Sequence, residues 1–396
     1  MMATWPKVKL VDSVNLLAGF PFKSQQFTDK PDDVPLVKGE NVSQGCILWE
    51  ISKRWPASDW EKMEKFHLLP GDVVIAMDRP WIPAGLKWSF IRAGDPKALL
   101  VQRCARLRSS TGRLDQNFLR FVIGGPGFES YVKPITTGVN VPHISGQQIL
   151  DFEFRLPPLP VQRRIAGILS AYDELMENSQ RRIRLLETMA RALYREWFVN
   201  SRFPGHEKHP HVASPLGDIP QGWEVKTVEE IVKRIRVGKK YDQKTVSPTG
   251  AVPVFDQGKT GIIGYHDDEP SVAASESSPV VVFANHTCYQ RLIHFPFSAI
   301  QNVLPFVPSP SIPRNIYWLH WATNGLVVFN DYKGHWPEFA AKTLVVPSAE
   351  WCQRFGDFVA PLSRQILKLE RQIQNLRRTR DLLLPRLLSG QVELKT

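Results

Sequence analysis

Leu156-Pro157-Pro158-Leu159-Pro160-Val161-Gln162-Arg163-Arg164-Ile165-Ala166 closes a proline-rich punctuation and opens a long apolar periodicity. From there Ile165, Leu169, Tyr172, Met176, Ser179, Ile183, Leu186, Ala190, Leu193 and Trp197 recur at alternating steps of four and three. That is the heptad spacing of helices that wind around a partner. After Pro160 only Gly167 interrupts the run, so one helix is expected through Val199. At 1.5 Å per residue it makes a rod of roughly 57 Å. A small globular core has no use for such a rod, so a partner is expected.

The C-terminal segment offers one. Leu362, Ile366, Leu369, Ile373, Leu376, Arg380, Leu383 and Leu387 repeat the same steps. Each seam carries one strongly polar member, Ser179 and Arg380. The two seams are therefore expected to pair, through Ile165, Leu169, Tyr172, Met176, Ile183, Leu186 and Leu193 on one side. Leu362, Ile366, Leu369, Ile373, Leu376 and Leu383 face them on the other. The plainer reading packs each helix separately onto a domain.

The chain has 396 residues, enough for two to three domains. Its apolar content of 43% is ordinary for a soluble protein. No run approaches the length of a membrane span, and the N-terminus lacks a signal-peptide pattern, which points to the cytoplasm. Cys46, Cys104, Cys288 and Cys352 lie far apart and suggest neither a zinc site nor a disulfide framework. The net charge of +11 suggests a polyanionic partner, and no basic tail carries it.

Residues 1–157 hold short apolar stretches broken by turn residues. Val34-Pro35-Leu36-Val37, Gly71 to Ala76, Leu99-Leu100-Val101 and Phe118 to Ile123 read as strands of a mixed, mostly antiparallel domain with few helices. The central helix then fills 158–200. Asn200 to Gln221, rich in Pro, His and Gly, reads as a linker. A second domain completes 201–347, and the C-terminal helix fills 348–396. The second domain starts as the first does: Val8 to Val14 matches Val225 to Ile231, with Trp5 and Trp223 just upstream. The ends match too, Thr137-Gly138 through Pro157 against Lys333-Gly334 through Pro347. The middles barely resemble each other. The expected fold is α+β: two mixed domains separated by two long antiparallel coiled-coil helices, a pseudo-two-fold duplication. Such a rod can hold two reading heads one to two duplex turns apart.

Four stretches carry a family resemblance: Leu156 to Ala166, Glu187 to Val199, Ser214 to Trp223, and Arg380 to Gly390. They resemble, in order, the specificity subunit of type I restriction–modification systems. The resemblance implies two target-recognition domains, each reading half of a split site on double-stranded DNA. It implies two docked methyltransferase subunits and restriction/translocase subunits. It places S-adenosylmethionine, ATP and Mg²⁺ in those partners, with no cofactor and no metal in this chain. Tyr241 to Tyr265, with the run Phe255 to Tyr265 inside it, looks like a recurring loop pattern of these domains.

Candidate DNA-contacting residues follow from charge and turn chemistry. Lys233, Arg234, Arg236, Lys239, Lys240 and Lys244 crowd one loop around Gly238, and Tyr241 offers an aromatic face. Gln257, Lys259 and Thr260 sit in a glycine-punctuated hairpin. Tyr289 and Arg291, beside His286 and Gln290, follow the apolar strand Val280 to Phe283. In the first domain Lys38, Asn41, Arg54, Arg79 and Lys87, with Trp55, Trp81 and Trp88, fall near strand ends.

Catalytic patterns are missing. Gly258-Lys259-Thr260 imitates the tail of a phosphate loop, but Pro253 stands where that motif needs glycine. No Asn-Pro-Pro-Tyr or Asn-Pro-Pro-Phe tetrapeptide is present. Glu224-Val225-Lys226 only loosely matches a nuclease triplet. A non-catalytic recognition subunit is therefore favoured over a self-sufficient DNA enzyme or a coiled-coil scaffold that reads no sequence.

Overall fold

The computed structural model describes every residue except 1–4, 138–141, 240, 259–260, 332, 393 and 395–396. It forms two compact units, one of residues 1–178 with 372–396, the other of residues 179–371.

In unit 1 the chain passes through β1 (Lys7–Lys9), β2 (Val14–Ala18), β3 (Val34–Val37), β4 (Arg54–Trp55), β5 (His67–Leu68) and β6 (Val73–Ala76). Next come β7 (Trp81–Ile82), β8 (Gly85–Leu86), β9 (Trp88–Phe90), β10 (Ala98–Leu100) and β11 (Cys104–Ser109). Helices α1 (Gln116–Ile123), α2 (Pro126–Ile135) and α3 (Gly146–Leu150) precede β12 (Glu153–Arg155). One sheet has the order β2-β11-β6-β9, a second the order β4-β3-β10-β5. Every residue of β6 is buried, which explains its unbroken apolar run. β3 and β10 run parallel, and β1 pairs antiparallel with β12.

Phe118 to Ile123 is helix rather than strand. Asp115 caps it by accepting from the Phe118 N–H at 3.0 Å. All six residues are buried, and an apolar run buried all round carries no period by which to tell helix from strand.

Helix α4 (Leu159–Tyr194) is 36 residues long and gives its first part, to Asn178, to unit 1. Gln162, fully buried, fixes its start: it accepts from the Asp115 N–H and donates to the carbonyls of Pro157 and Arg113. Ile165 and Leu169 share a buried cluster with Leu387. One turn on, Asp173 accepts from Arg380 at 2.8 Å. The partner numbers fall as α4 advances, so the two seams meet antiparallel within unit 1.

Unit 2 contains β13 (His211–Ser214), β14 (Gly217–Pro220), β15 (Glu224–Thr227), α5 (Val228–Ile231), β16 (Val232–Arg234), β17 (Val252–Phe255) and β18 (Ile262–His266). It continues with β19 (Val280–Ala284), β20 (Gln290–Ile293), β21 (Ser298–Ala299), β22 (Val303–Pro308), α6 (Ile316–Thr323), α7 (Trp336–Ala341) and β23 (Thr343–Val346). Helix α8 (Ala349–Ser389), of 41 residues, follows, and its part up to Arg371 belongs here. The linker read from Asn200 to Gln221 is not featureless, since β13 and β14 form a hairpin within it.

The divergent middles fold alike. β16-β22-β19-β20 repeats the order β2-β11-β6-β9, the parallel pair β17/β21 repeats β3/β10, and β15/β23 repeats β1/β12. The match reaches single dihedrals. Arg103 and Asn302 precede equivalent strands, with φ of 67° and 72°. Their carbonyls accept from Met77 N and Asn285 N, both at 2.8 Å. Two non-glycine residues held in left-handed backbone at the same place indicate a shared constraint rather than a chance turn.

The core of unit 2 contains neutral histidines. Gln290 Nε2 donates to His320 O at 2.8 Å and faces His320 Nδ1 at 3.2 Å, while Gln290 Oε1 accepts from Thr323. An amide NH₂ can only donate, so Nδ1 carries no proton. Burial pushes the His320 imidazole down to about 4 and also lowers His294. A depressed folded value means that the unfolded chain binds the extra proton first. The stabilising contribution is therefore complete above about pH 6.5 and is lost as pH falls toward 4. Urea midpoints should drop between pH 7.5 and 5. The drop should shrink in His320→Gln, and an unchanged slope in that variant counts against His320 as its source.

Candidate nucleic-acid interface

Three loops of unit 2 meet at the turn that follows β19. Gln257, after β17, accepts from the His286 N–H through Oε1 at 2.8 Å and from the Thr287 hydroxyl through its carbonyl at 2.6 Å. His286 Nδ1 in turn donates to the Lys333 carbonyl, in the segment leading to α7, at 2.9 Å. Arg291 Nη2 donates to Gly258 O at 2.9 Å, and its guanidinium lies 4.7 Å from the Tyr289 ring centre. Gly261, at φ 76°, leaves the room: a Cβ there would come within 2.0 Å of that guanidinium. The fold thus gathers Gln257, Tyr289 and Arg291 with His286, Thr287 and Lys333. Lys259 and Thr260 lie outside the described residues.

The basic loop is partly committed to its own structure. Lys233, Arg234, Arg236 and Lys244 are exposed, and Arg234 lies over the Trp336 ring at 5.0 Å. Lys239 pairs with Asp268 at 2.6 Å; that hydrogen bond raises the ammonium and lowers the carboxyl from their ordinary values. Tyr241 does not offer an open face. It is 4% exposed, stacks on His266 at 4.2 Å and donates its hydroxyl to Asp268. Lys240 lies outside the described residues.

In unit 1 the equivalent turn, after β6, carries Asp78 and Arg79. Arg79 is exposed, has φ 45°, and its N–H donates to Pro142 O at 2.7 Å. Asp78 binds Arg103 at 3.1 Å and the His143 ring. Lys38 pairs with Glu40 at 2.8 Å. Lys87 is only 8% exposed, and burial lowers its ammonium while Arg79 adds to the effect. Cys104, beside Lys87, is pushed by burial up to about 12 and is not a reactive thiol. Lys38, Arg79 and Lys87 thus share one neighbourhood.

Two expectations fare differently. Asn41 is buried, with its amide spent on Leu36 O, Ser52 and the Lys38 N–H, so it braces a turn rather than presenting a polar tip. Arg54 donates to Asp33 O at 2.7 Å. Asp78, Arg103 and His143 were not among the candidates. Arg103 leaves no mark in sequence, because its role comes from a backbone dihedral, whereas Asp78 could have been found beside Arg79 at a strand end.

Of the seam residues, Ile165, Leu169, Met176, Leu369 and Ile373 are buried. Tyr172, Ile183, Leu186, Leu193, Leu362, Ile366, Leu376 and Leu383 are half-buried. Among the described residues no cluster of His, Cys, Asp and Glu is arranged to hold a metal. No described helix is long and apolar enough to cross a membrane.

Residues 2–188, just under half of the chain, match the family described as the type I restriction modification DNA specificity domain. The type I restriction enzyme MjaIX specificity subunit of Methanocaldococcus jannaschii is 24% identical over 301 residues, which cover 70% of this chain and 69% of that protein. The EcoAI specificity subunit of Escherichia coli is 30% identical over 184 residues, 46% of this chain and 30% of that protein. The crystal structure of the type I restriction–modification S subunit from M. genitalium shares the fold, with a TM-score of 0.60 at 15% identity over 99% of this chain and 97% of that one. With the repeated α+β units and paired heptad seams, these matches make the chain similar to type I restriction enzyme specificity subunits in fold and over much of its sequence.

Proposed function

We propose that the chain binds a split DNA sequence, each unit reading one half, and brings a methyltransferase and a restriction/translocase to it. One observation carries this reading: the same topology occurs twice, and each copy gathers unlike polar side chains at the turn after its buried strand, β6 or β19. A shared scaffold with different tips fits two modules that do one job on two targets. Arg and Lys at such turns suit phosphates and guanine edges. In this reading two methyltransferase subunits bind S-adenosylmethionine, the motor subunits use ATP and Mg²⁺, and the complex works in the cytoplasm.

The test is co-expression with the cognate methyltransferase, followed by sequencing of modified bases. Adenine methylation at a split motif is expected. Exchanging residues 222–347 for another recognition domain should change one half of that motif and leave the other intact. A continuous motif, or simultaneous change of both halves, overturns the proposal. Purified chain alone should leave DNA unchanged with S-adenosylmethionine or Mg²⁺; modification or cleavage would favour an enzyme in its own right.

A further inference from the structure

We infer that Val328 and Phe329 form an apolar wedge that enters the base stack of the half-site bound by unit 2. The inference rests on the DNA reading above and adds how the duplex is deformed.

These side chains are 74% and 53% exposed, in an irregular segment that joins α6 to α7. Unit 1 uses the corresponding stretch, between α1 and α3, differently. There α2 turns Phe128 and Val132 into the core, where they are 0% and 1% exposed. Unit 2 keeps the connection and packs Leu326 and Val327 against its core, but leaves the next two apolar side chains, Val328 and Phe329, outward. Leaving them in water forgoes the hydrophobic gain of burial, and what sets them apart from other exposed apolar side chains is their place beside the polar cluster.

The tip is braced. The Phe329 ring lies 6.2 Å from that of His335, which is fully buried. His335 N donates to Asn285 O at 2.9 Å, and the next N–H, of Trp336, donates to Asn285 Oδ1 at 2.7 Å. His286 then ties Lys333 to the turn that holds Gln257. The wedge therefore shares a hydrogen-bonded base with the polar cluster of the candidate interface.

Its surroundings choose the partner. Two apolar side chains beside the exposed Lys333 and the Gln257–Thr287 turn do not make the broad apolar centre of a stable protein interface, which needs about 800 Å² per partner. A duplex matches this pattern. Base edges and phosphates meet the polar rim, and an inserted Phe or Val takes the place of a base neighbour, unstacking one step and kinking the helix.

The experiment uses the full chain with its methyltransferase. Once the motif is known from modified-base sequencing, duplexes carry 2-aminopurine at successive positions of the unit 2 half-site, outside the methylated adenine. Wild type should raise fluorescence several-fold at one step. Phe329→Ser should abolish that rise and weaken binding roughly tenfold, as loss of an aromatic–base stack does. The methylated motif and the unfolding temperature should stay the same, and Val328→Ser should act in the same direction. No rise at any position with tightly bound wild type overturns the wedge alone. So does an undiminished rise in Phe329→Ser, or loss of methyltransferase co-purification in that variant, which would make the tip a protein contact. Absence of any methylated motif overturns the DNA reading itself.

Discussion

Replacing Asp173 with alanine should lower the stability of unit 1 by about 3–5 kcal/mol, the cost of stripping a buried charge network of its counter-ion. Asp173 lies on α4 and is 19% exposed, with Arg120 of α1 and Arg380 of α8 on either side at 9% and 29%. Arg120 reaches it at 3.3 Å and Arg380 at 2.8 Å. Burial already lowers the Arg120 guanidinium, and Asp173 is the main group opposing that effect. Arg120 is also stacked, 4.1 Å from the Phe90 ring centre, and Arg92 lies over the same ring at 4.5 Å while pairing with Glu177. Neither arginine can readily swing into water without giving up these contacts. Urea unfolding measures the loss. Asp173→Asn, which keeps an acceptor, should lose less, and adding Arg120→Met to Asp173→Ala should restore part of it. A loss below about 1 kcal/mol would mean that the pair acts as an exposed one does.

That network also marks the limit of what sequence could show. The steps of four and three survive in α4 and α8 because helix geometry is local, so both rods and their mutual pairing were legible. Arg380 stood out in its seam as the wrong residue type. Its partner did not, because Asp173 follows the seam residue Tyr172 and no periodicity selects it. Strands buried on both faces, such as Val280 to Ala284, were legible as apolar runs, and the same signal misread Phe118 to Ile123. The kinship of the two middles was invisible. A sheet order needs only buried positions in the right succession, and many side chains satisfy that. Arg103 and Asn302 share a dihedral and a hydrogen bond with no identity between them. Of the candidate site, the charged tips were legible by type. Which of them the fold spends on itself, as with Asn41 and Tyr241, depended on tertiary contacts.

Phe355→Ala should cost unit 2 about 3–5 kcal/mol, the range for truncating a fully buried aromatic. Phe355 is 0% exposed, one turn into α8 from the buried Cys352. Its ring sits 5.3 Å from Phe198, 6.1 Å from Tyr194 and 6.3 Å from Trp197, centre to centre. Those three residues end α4 and form the π-helical turn Arg195–Val199 beyond it. Burial drives the Tyr194 phenol well above its ordinary range. Removing one ring from the middle of this cluster leaves a cavity lined by aromatic faces that cannot close without unwinding either helix, and the cost should sit at the upper end of the range. Phe355→Leu should lose clearly less, because it refills most of the volume. Tryptophan fluorescence during urea unfolding gives the readout, since Trp197 lies in the cluster, as do Trp223 against Phe198 and Trp351 against Trp197. A Phe355→Ala loss no larger than that of Phe355→Leu would show that the site collapses around the gap. The helix ends in unit 2 would then be held by the seam residues Leu193 and Leu362 rather than by this aromatic knot.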